Sequence, residues 1–408
     1  MIEHDPISSP KLRDREGIAA HRFYAGFSLQ FVLDCFSSAK LETGAIVLDP
    51  WSGSGTTALV AASQGYKAIG FDLNPAMQAS SRARLTSGAE SSLEGILEVL
   101  EFESLNDARS LTATDPLCRW FSFSTVARIR QIQREICGDE ALSIEGVSDL
   151  SAGQCFDLQA LISACRILAL DARSSNPTWT RDCEVGVYVR PESLRAAILR
   201  QCTSMKNVAV RVTHEAVIGI ADSRRLPIDD GSVDFILSSP PYCTRIDYAM
   251  STVINNAVIG GKVWARFDDM RRSLIGSPCI TRMETSHIGR FGPTCSALLH
   301  SVSDHQSKSS KSYYLPNLLQ YFDGLYQSLQ EIARVLKDGG EAVLVVQDSY
   351  YKEHRIDLAT IVTEMLYETL TLTRRIDYRR GRSFAQINPR AAMVAKRPTE
   401  SALFFASI

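Results

Sequence analysis

The chain has 408 residues, 45% of them hydrophobic, enough to build a full core and more than one domain. Its formal charge of −2 carries no global polyanion-binding signature, so any surface for nucleic acid has to be local. Ten cysteines without a Cys-x-x-Cys pair speak against a zinc cluster or disulfide framework. They fit the reduced thiols of a cytoplasmic protein, with a polar, acidic start unlike a signal peptide and no apolar run long enough to span a membrane.

Taken in chain order, the first readable element is an amphipathic stretch ending at Phe36, preceded by His21-Arg22-Phe23-Tyr24-Ala25-Gly26-Phe27. A buried strand, Ala45 to Leu48, then enters the loop Asp49-Pro50-Trp51-Ser52-Gly53-Ser54-Gly55-Thr56-Thr57 and a helix bearing Leu59, Val60 and Ala62. Glycines at 53 and 55 suit a backbone that approaches a ligand closely or takes positive φ, and Thr56 and Thr57 open the helix with free amide donors. The loop lacks the lysine of a phosphate-binding P-loop and the third glycine of a dinucleotide fingerprint. The next strand, Lys67 to Asp72, ends in a carboxylate placed where a doubly wound sheet meets ribose hydroxyls; the plain alternative is a cap on the turn at Asn74-Pro75.

About 135 residues separate this unit from the next strand, with helical apolar spacing at Phe123 to Ile132 and from Phe156 to Leu170. The stretch reads as a mostly helical inserted subdomain. A third strand, Ala216 to Ile220, carries Asp222 beyond its tip. A fourth, Val233 to Leu237, stops in Ser238-Ser239-Pro240-Pro241-Tyr242. Two prolines stiffen that loop and remove two amide donors, leaving a hydroxyl, fixed carbonyls and an aromatic face close together. Such a group suits a flat heterocycle held by its exocyclic amine and stacked on its ring; the plain alternative is a strand-ending turn. Asp247 and Tyr248 follow closely and are candidates for lining the same pocket, or for a structural turn.

Between Lys262 and Lys311, eight Lys/Arg stand against four acids, which suits a mobile basic loop that tracks phosphates or closes over substrate. A long helix from Leu318 to Leu336, the turn Lys337-Asp338-Gly339-Gly340 and a buried strand from Glu341 to Val346 follow. Residues 371 to 400 hold eight Lys/Arg against two acids, interleaved with Tyr378 and Phe384, a candidate stripe for a nucleic-acid backbone or else a solvated face.

Together the motifs resemble the S-adenosylmethionine-dependent amino-methyltransferases of nucleic-acid bases, the DNA cytosine-N4/adenine-N6 family. Asp49 to Thr57 is similar to the family's cofactor loop Asp-Pro-Phe-x-Gly-Ser-Gly-Thr-Thr, with Trp51 in place of the usual Phe. Gly70 to Pro75 is similar to its ribose-binding segment, and Ser239-Pro240-Pro241-Tyr242 to its catalytic [Asp/Asn/Ser]-Pro-Pro-[Tyr/Phe/Trp]. The resemblance spans roughly residues 20 to 80 and 215 to 350. It implies an α/β chain with a Rossmann-like class I methyltransferase fold, a mixed, mostly parallel seven-stranded sheet with a helical insert. The units expected are 1–80 (core with cofactor loop), 81–212 (helical insert), 213–261 (core with catalytic loop), 262–315 (basic flexible insert) and 316–408 (core). It assigns the cofactor S-adenosylmethionine to Asp49, Pro50, Trp51, Ser52, Gly53, Ser54, Gly55, Thr56, Asp72 and, for the adenine amine, Asp222, and flanks it with residues 21–27. It places catalysis on Ser239, Pro240, Pro241 and Tyr242, with the substrate held by Tyr242, Asp247 and Tyr248.

The implied activity is site-specific DNA methylation at an exocyclic amine, and a Ser at position 239 points to cytosine N4. Adenine N6, a base amine of tRNA or rRNA, and a catalytically silent nucleic-acid-binding subunit are the rivals. DNA is the expected partner and restriction–modification the expected setting. No metal or membrane is implied, and neither a companion nuclease nor an oligomeric state can be read from the residues.

Overall fold

A computed structural model describes residues 7–10, 26, 28–100, 114–138, 142–169, 181–243, 246–280, 288–379 and 398–407. Its strands are β1 (Ile46–Asp49), β2 (Lys67–Asp72), β3 (Ala216–Ile220), β4 (Val233–Ser238), β5 (Leu336–Gln347), β6 (Ser349–Tyr351), β7 (His354–Ile356), β8 (Leu370–Arg379) and β9 (Thr399–Ser407). Seven of them form one sheet in the order β3-β2-β1-β4-β5-β9-β8, while β6 and β7 make a separate hairpin. The β1–β2, β2–β3, β1–β4 and β4–β5 pairs are parallel; β9 alone is reversed, antiparallel to both β5 and β8. This mixed, mostly parallel sheet is the class I methyltransferase fold.

The strand order turns back on itself at β1 and β4, so the loops after these two strands open at one edge of the sheet. In open α/β sheets that crevice is where ligands bind. The strands are buried on both faces, hence the near-continuous apolar runs Ile46-Val47-Leu48 and Phe235-Ile236-Leu237. One face is covered by helix Leu29–Ala39 and helix Thr56–Ser63. The other is covered by helix Leu315–Val335, which buries Leu318, Phe322, Leu325, Leu329 and Ile332 at helical spacing. That helix stops at Val335. Lys337 to Gly340 interrupt the β4–β5 pairing between the Val233↔Leu336 and Phe235↔Glu341 partners, with Gly339 at φ 74°.

Within 81–212 the described residues form helices Leu93–Val99, Phe123–Cys137, Ile144–Asp149, Ala152–Leu168 and Pro191–Asn207. They share a core with Trp120, Phe121, Ile129, Phe156 and Leu161, and the same core takes in Val253, Ala257 and Val258 from helix Val253–Ile259 behind the catalytic loop. The join is polar as well as apolar. The Arg130 guanidinium pairs with Asp115 at 2.8 Å and donates to the carbonyls of Val258 (2.6 Å) and Ala257 (2.7 Å). Gly260, at φ 67°, lets it pass, since a Cβ there would lie 2.7 Å from Arg130 Nη1.

Residues 262–315 differ from the expected mobile loop. Among the described residues they form helices Gly261–Ala265, Phe267–Ser273 and Pro293–Asp304. The reason is apolar anchors set among the charges: Val263 and Phe267 enter the insert's core, while Leu298, Leu299 and Val302 enter the core beside the sheet.

Arg130 and Asp115 are both mostly buried, so Arg130→Ala leaves a buried carboxylate and two carbonyls without their partner. The expected loss is about 3–5 kcal/mol of unfolding free energy. Urea denaturation measures it, and a loss below about 1 kcal/mol would show that the insert is not fastened in this way.

Candidate active site

A cavity of about 960 Å³, open mouth included, lies at the carboxyl edge of β1, β2, β3 and β4. Its wall contains Asp49, Pro50, Trp51, Ser52, Gly53, Ser54 and Thr56 from the first loop, and Asp72, Leu73 and Asn74 from the second. Ser239, Pro240, Pro241, Tyr242 and Tyr248 complete it from the loop after β4. Motifs almost two hundred residues apart in sequence thus face one space.

The first loop is held from below. The Arg84 guanidinium, buried under the loop, donates to the Ser54 carbonyl (2.9 Å), Ser54 Oγ (3.2 Å) and Thr56 Oγ1 (2.9 Å). Gly55, at φ 75°, begins the following helix outside the wall, and a Cβ on it would stand 1.9 Å from Ser81 Oγ. Thr57 Oγ1 donates to the Leu237 carbonyl at 3.2 Å, tying this helix to the catalytic strand.

Two carboxylates sit at the floor. Asp49 accepts from the Trp51 amide at 3.1 Å and from the Ser238 hydroxyl. Burial pushes its carboxyl up to about 6, opposed by the hydrogen bonds from Ser238, Thr57 and Trp51, with the Asp72 charge adding to the rise. Asp72 accepts from the amides of Gly53 (3.0 Å) and Asn74 (2.9 Å); burial lifts it to about 6 against those two bonds. Beside them Trp51 Nε1 and Ser52 Oγ are buried without a hydrogen-bond partner among the described residues. One buried and one half-buried carboxylate, together with an indole donor and a hydroxyl lacking partners, suit a ligand with a cationic end, hydroxyls and acceptors, and S-adenosylmethionine carries all three.

In the loop after β4, Ser239 Oγ donates to the Val345 carbonyl at 3.1 Å. Its single proton is committed, so toward the cavity the oxygen offers lone pairs. Pro241 accepts at its carbonyl from the Tyr321 hydroxyl (2.8 Å), and the Tyr242 amide donates to the Tyr248 hydroxyl (3.0 Å). The Tyr242 hydroxyl donates to Glu400 Oε1 at 3.0 Å.

Two carboxylates singled out in the sequence stand outside the wall. Asp222 is bound by Arg224, whose Nε lies 2.9 and 3.1 Å from its two oxygens, and only its neighbours Ala221 and Ser223 face the cavity. Asp247 caps helix Tyr248–Ser251 through the Met250 amide (3.1 Å) and pairs with Arg271 at 2.7 Å. Gly26 reaches the cavity wall; the rest of 21–27 lies outside the described residues. Of the basic C-terminal stretch, Arg374 packs over the Phe404 ring and Arg375 pairs with Asp377, while residues 380–397 lie outside the described residues. The sequence reading missed Arg84, Ser238, Tyr321 and Glu400. Ser238 adjoins the motif and was the most accessible to sequence reasoning. The other three carry no local signature.

The strand order and the cavity at its switch point are the arrangement that the class I methyltransferase fold provides. A DNA methylase family model matches residues 24–82. The chain is 23% identical over 268 residues to the Type II methyltransferase M.BsoBI of Geobacillus stearothermophilus, covering 59% of this chain and 52% of that protein. The chain therefore matches about half the length of that curated relative. Over residues 24–82 the chain is thus similar to the N6/N4 DNA methylases. Among solved structures, TrmN from Thermus thermophilus aligns over 97% of this chain and 52% of its own, at 12% identity and TM-score 0.34. The rRNA methyltransferase aviRa from Streptomyces viridochromogenes aligns over 97% and 93%, at 11% identity and TM-score 0.32.

Gly55→Ala combines a steric clash with a positive φ, so it is expected to destabilise the loop by about 1–3 kcal/mol. A thermal melt equal to wild type would contradict this. The two floor carboxyls give a pH dependence of opposite sign to that of a salt-bridged acid. With folded values near 6, above the unfolded 3.8, they bind more protons folded than unfolded, so stability falls as pH rises through that window. Without ligand, Asp72→Asn should therefore gain stability relative to wild type from about pH 4 to about pH 7. Urea midpoints at the two pH values check this, and a constant difference would refute it.

Proposed function

We propose that the chain transfers a methyl group from S-adenosylmethionine to an exocyclic base amine in DNA, with cytosine N4 the preferred target. The observation that carries this reading is Ser239, a cavity-wall hydroxyl whose proton is already given to Val345. Such an oxygen accepts from an N–H and repels a carbonyl or carboxylate, so it selects amines.

A second recess of about 430 Å³, mouth included, adds support. It shares Tyr242 with the first and is lined by Tyr314, Tyr321, Tyr350 and Tyr351. Five tyrosine rings around one space suit a flat ring removed from its stack. The family match and the methyltransferase relative favour DNA. Ser rather than Asp or Asn at the head of the catalytic motif favours cytosine N4 by resemblance.

When bound, S-adenosylmethionine supplies an electrophilic methyl on a cationic sulfur. Asp49 and the backbone of the first loop would hold its amino-acid end and Asp72 its ribose. The remaining task of the chain is positioning. Ser239 accepts from the amine and turns its lone pair out of conjugation with the ring, Tyr242 supports the ring face, and the prolines keep both in place. The bound cofactor would supply the methyl and keep the sulfur's electron pair, and the methylated amine would release its surplus proton to solvent, so the chain itself would need no strong base.

Labelled methyl transfer to duplex DNA, single-stranded DNA and RNA, followed by nucleoside mass spectrometry, tests the reading. N4-methylcytosine in DNA is expected. Label confined to RNA, or in N6-methyladenine, would redirect the assignment, and no label despite cofactor binding would indicate a silent subunit. Ser239→Ala should lower turnover about 100-fold or more while sparing cofactor affinity. Because Asp49 has to ionise to hold a cationic group, affinity for S-adenosylhomocysteine should rise as pH increases through about 6. Calorimetry at several pH values reads this, and a flat profile would remove Asp49 from the binding site.

A further inference from the structure

We infer that Glu400 is a positioning residue for Tyr242, its buried carboxylate fixing the plane of the ring against which the target base is read. The inference rests on the base-amine reading above and adds a residue that no sequence motif marks.

Three observations carry it. The Tyr242 hydroxyl donates to Glu400 Oε1 at 3.0 Å, and Glu400 is 0% exposed. Its neighbours along β9 are Ser401, Ala402, Leu403 and Phe404, a run in which a carboxylate is out of place unless something needs it. Topology explains how it reaches the site. β9 is the one reversed strand of the sheet, so its first residues lie at the edge where the parallel strands end. Glu400 there stands opposite Gln347 on β5 and Tyr378 on β8.

The backbone around Tyr242 is already fixed by Pro240 and Pro241 and by the Tyr321 and Tyr248 hydroxyls. What those contacts leave to be set is rotation of the side chain. An acceptor at the far end of the phenol sets it, and a phenylalanine would stack equally well without being so held. Glu400 therefore acts through Tyr242 and touches neither cofactor nor base.

The test uses the full chain with Glu400→Ala, Glu400→Gln, Tyr242→Phe and the double variant Tyr242→Phe/Glu400→Ala. Methyl transfer to DNA gives kcat and KM, and calorimetry gives S-adenosylhomocysteine affinity. Fluorine NMR of 3-fluorotyrosine-labelled protein, with the Tyr242 signal assigned by its loss in Tyr242→Phe, reports the ring itself. Glu400→Ala is expected to lower kcat about tenfold or more with cofactor affinity within about twofold of wild type. Glu400→Gln, whose amide oxygen still accepts, should recover most of that loss. The double variant should be no worse than the poorer single one, because both remove the same bond.

The Tyr242 signal should shift in Glu400→Ala and stay in Glu400→Gln. A Gln variant as impaired as Ala, additive losses, or an unmoved Tyr242 signal would overturn the role. Wild-type protein that methylates no nucleic acid would instead remove the base-amine reading, and the NMR comparison would still decide whether Glu400 holds the ring. If Glu400→Ala fails to fold, the Gln and Phe variants carry the same comparison.

Discussion

The hydrogen bond from the Ser238 hydroxyl to the Asp49 carboxylate joins the ends of β1 and β4, and the site is organised around that seam. Parallel pairing of these strands, with Val47 beside Phe235 and Leu48 beside Ile236, leaves their two loops no choice but to emerge side by side. One loop becomes the wall proposed to hold the cofactor and the other the wall proposed to carry catalysis. Asp49 is shared: its carboxylate organises the Trp51 amide on one side and takes the catalytic strand's last hydroxyl on the other. The two loops therefore have a common anchor, and each loop's geometry depends on the other's.

That anchor is held under electrostatic tension. Asp49 is buried, Asp72 is half-buried and near it, and removal from water makes ionisation at either one costly. Amide and hydroxyl donors offset part of that cost, and a cationic or hydroxyl-bearing ligand would offset more. Such a site is less stable than an apolar one of the same size, which is the usual consequence of organising charge before the ligand arrives. Arg84 shows the complementary device. A buried guanidinium spends its donors on the loop's own oxygens, which fixes the loop's shape from beneath and leaves its upper side to the ligand.

Legibility in the sequence followed the range of the interaction. The cofactor loop, the ribose-side Asp72 and the Ser239–Tyr242 motif are local, because each needs particular residues at consecutive positions to make a turn and present a group. Their strands were legible too, since burial on both faces leaves an apolar run. Arg84, Tyr321 and Glu400 act on partners 28, 80 and 158 residues away. Nothing in their immediate neighbours shows which distant partner each one serves. The stretch 262–315 misled for a related reason. Its average charge suggests a loop, but its structure is set by a few apolar residues at helical spacing, which a composition average conceals.

Asp222 and Asp247 show how a carboxylate near a ligand cavity comes to serve it indirectly. Arg224, clasped by Asp222, also donates to the Ser273 carbonyl at 3.1 Å, and Arg271, two residues before Ser273, is clasped by Asp247. Both ion pairs thus fasten one short segment, and the next two residues, Leu274 and Ile275, line the cavity. Apolar side chains in a cavity wall exclude water, which strengthens the polar contacts beside them. Reading either acid as a ligand assumes that the shortest path from charge to function is contact. Here the path runs through an arginine and a backbone carbonyl to two side chains that carry no charge at all.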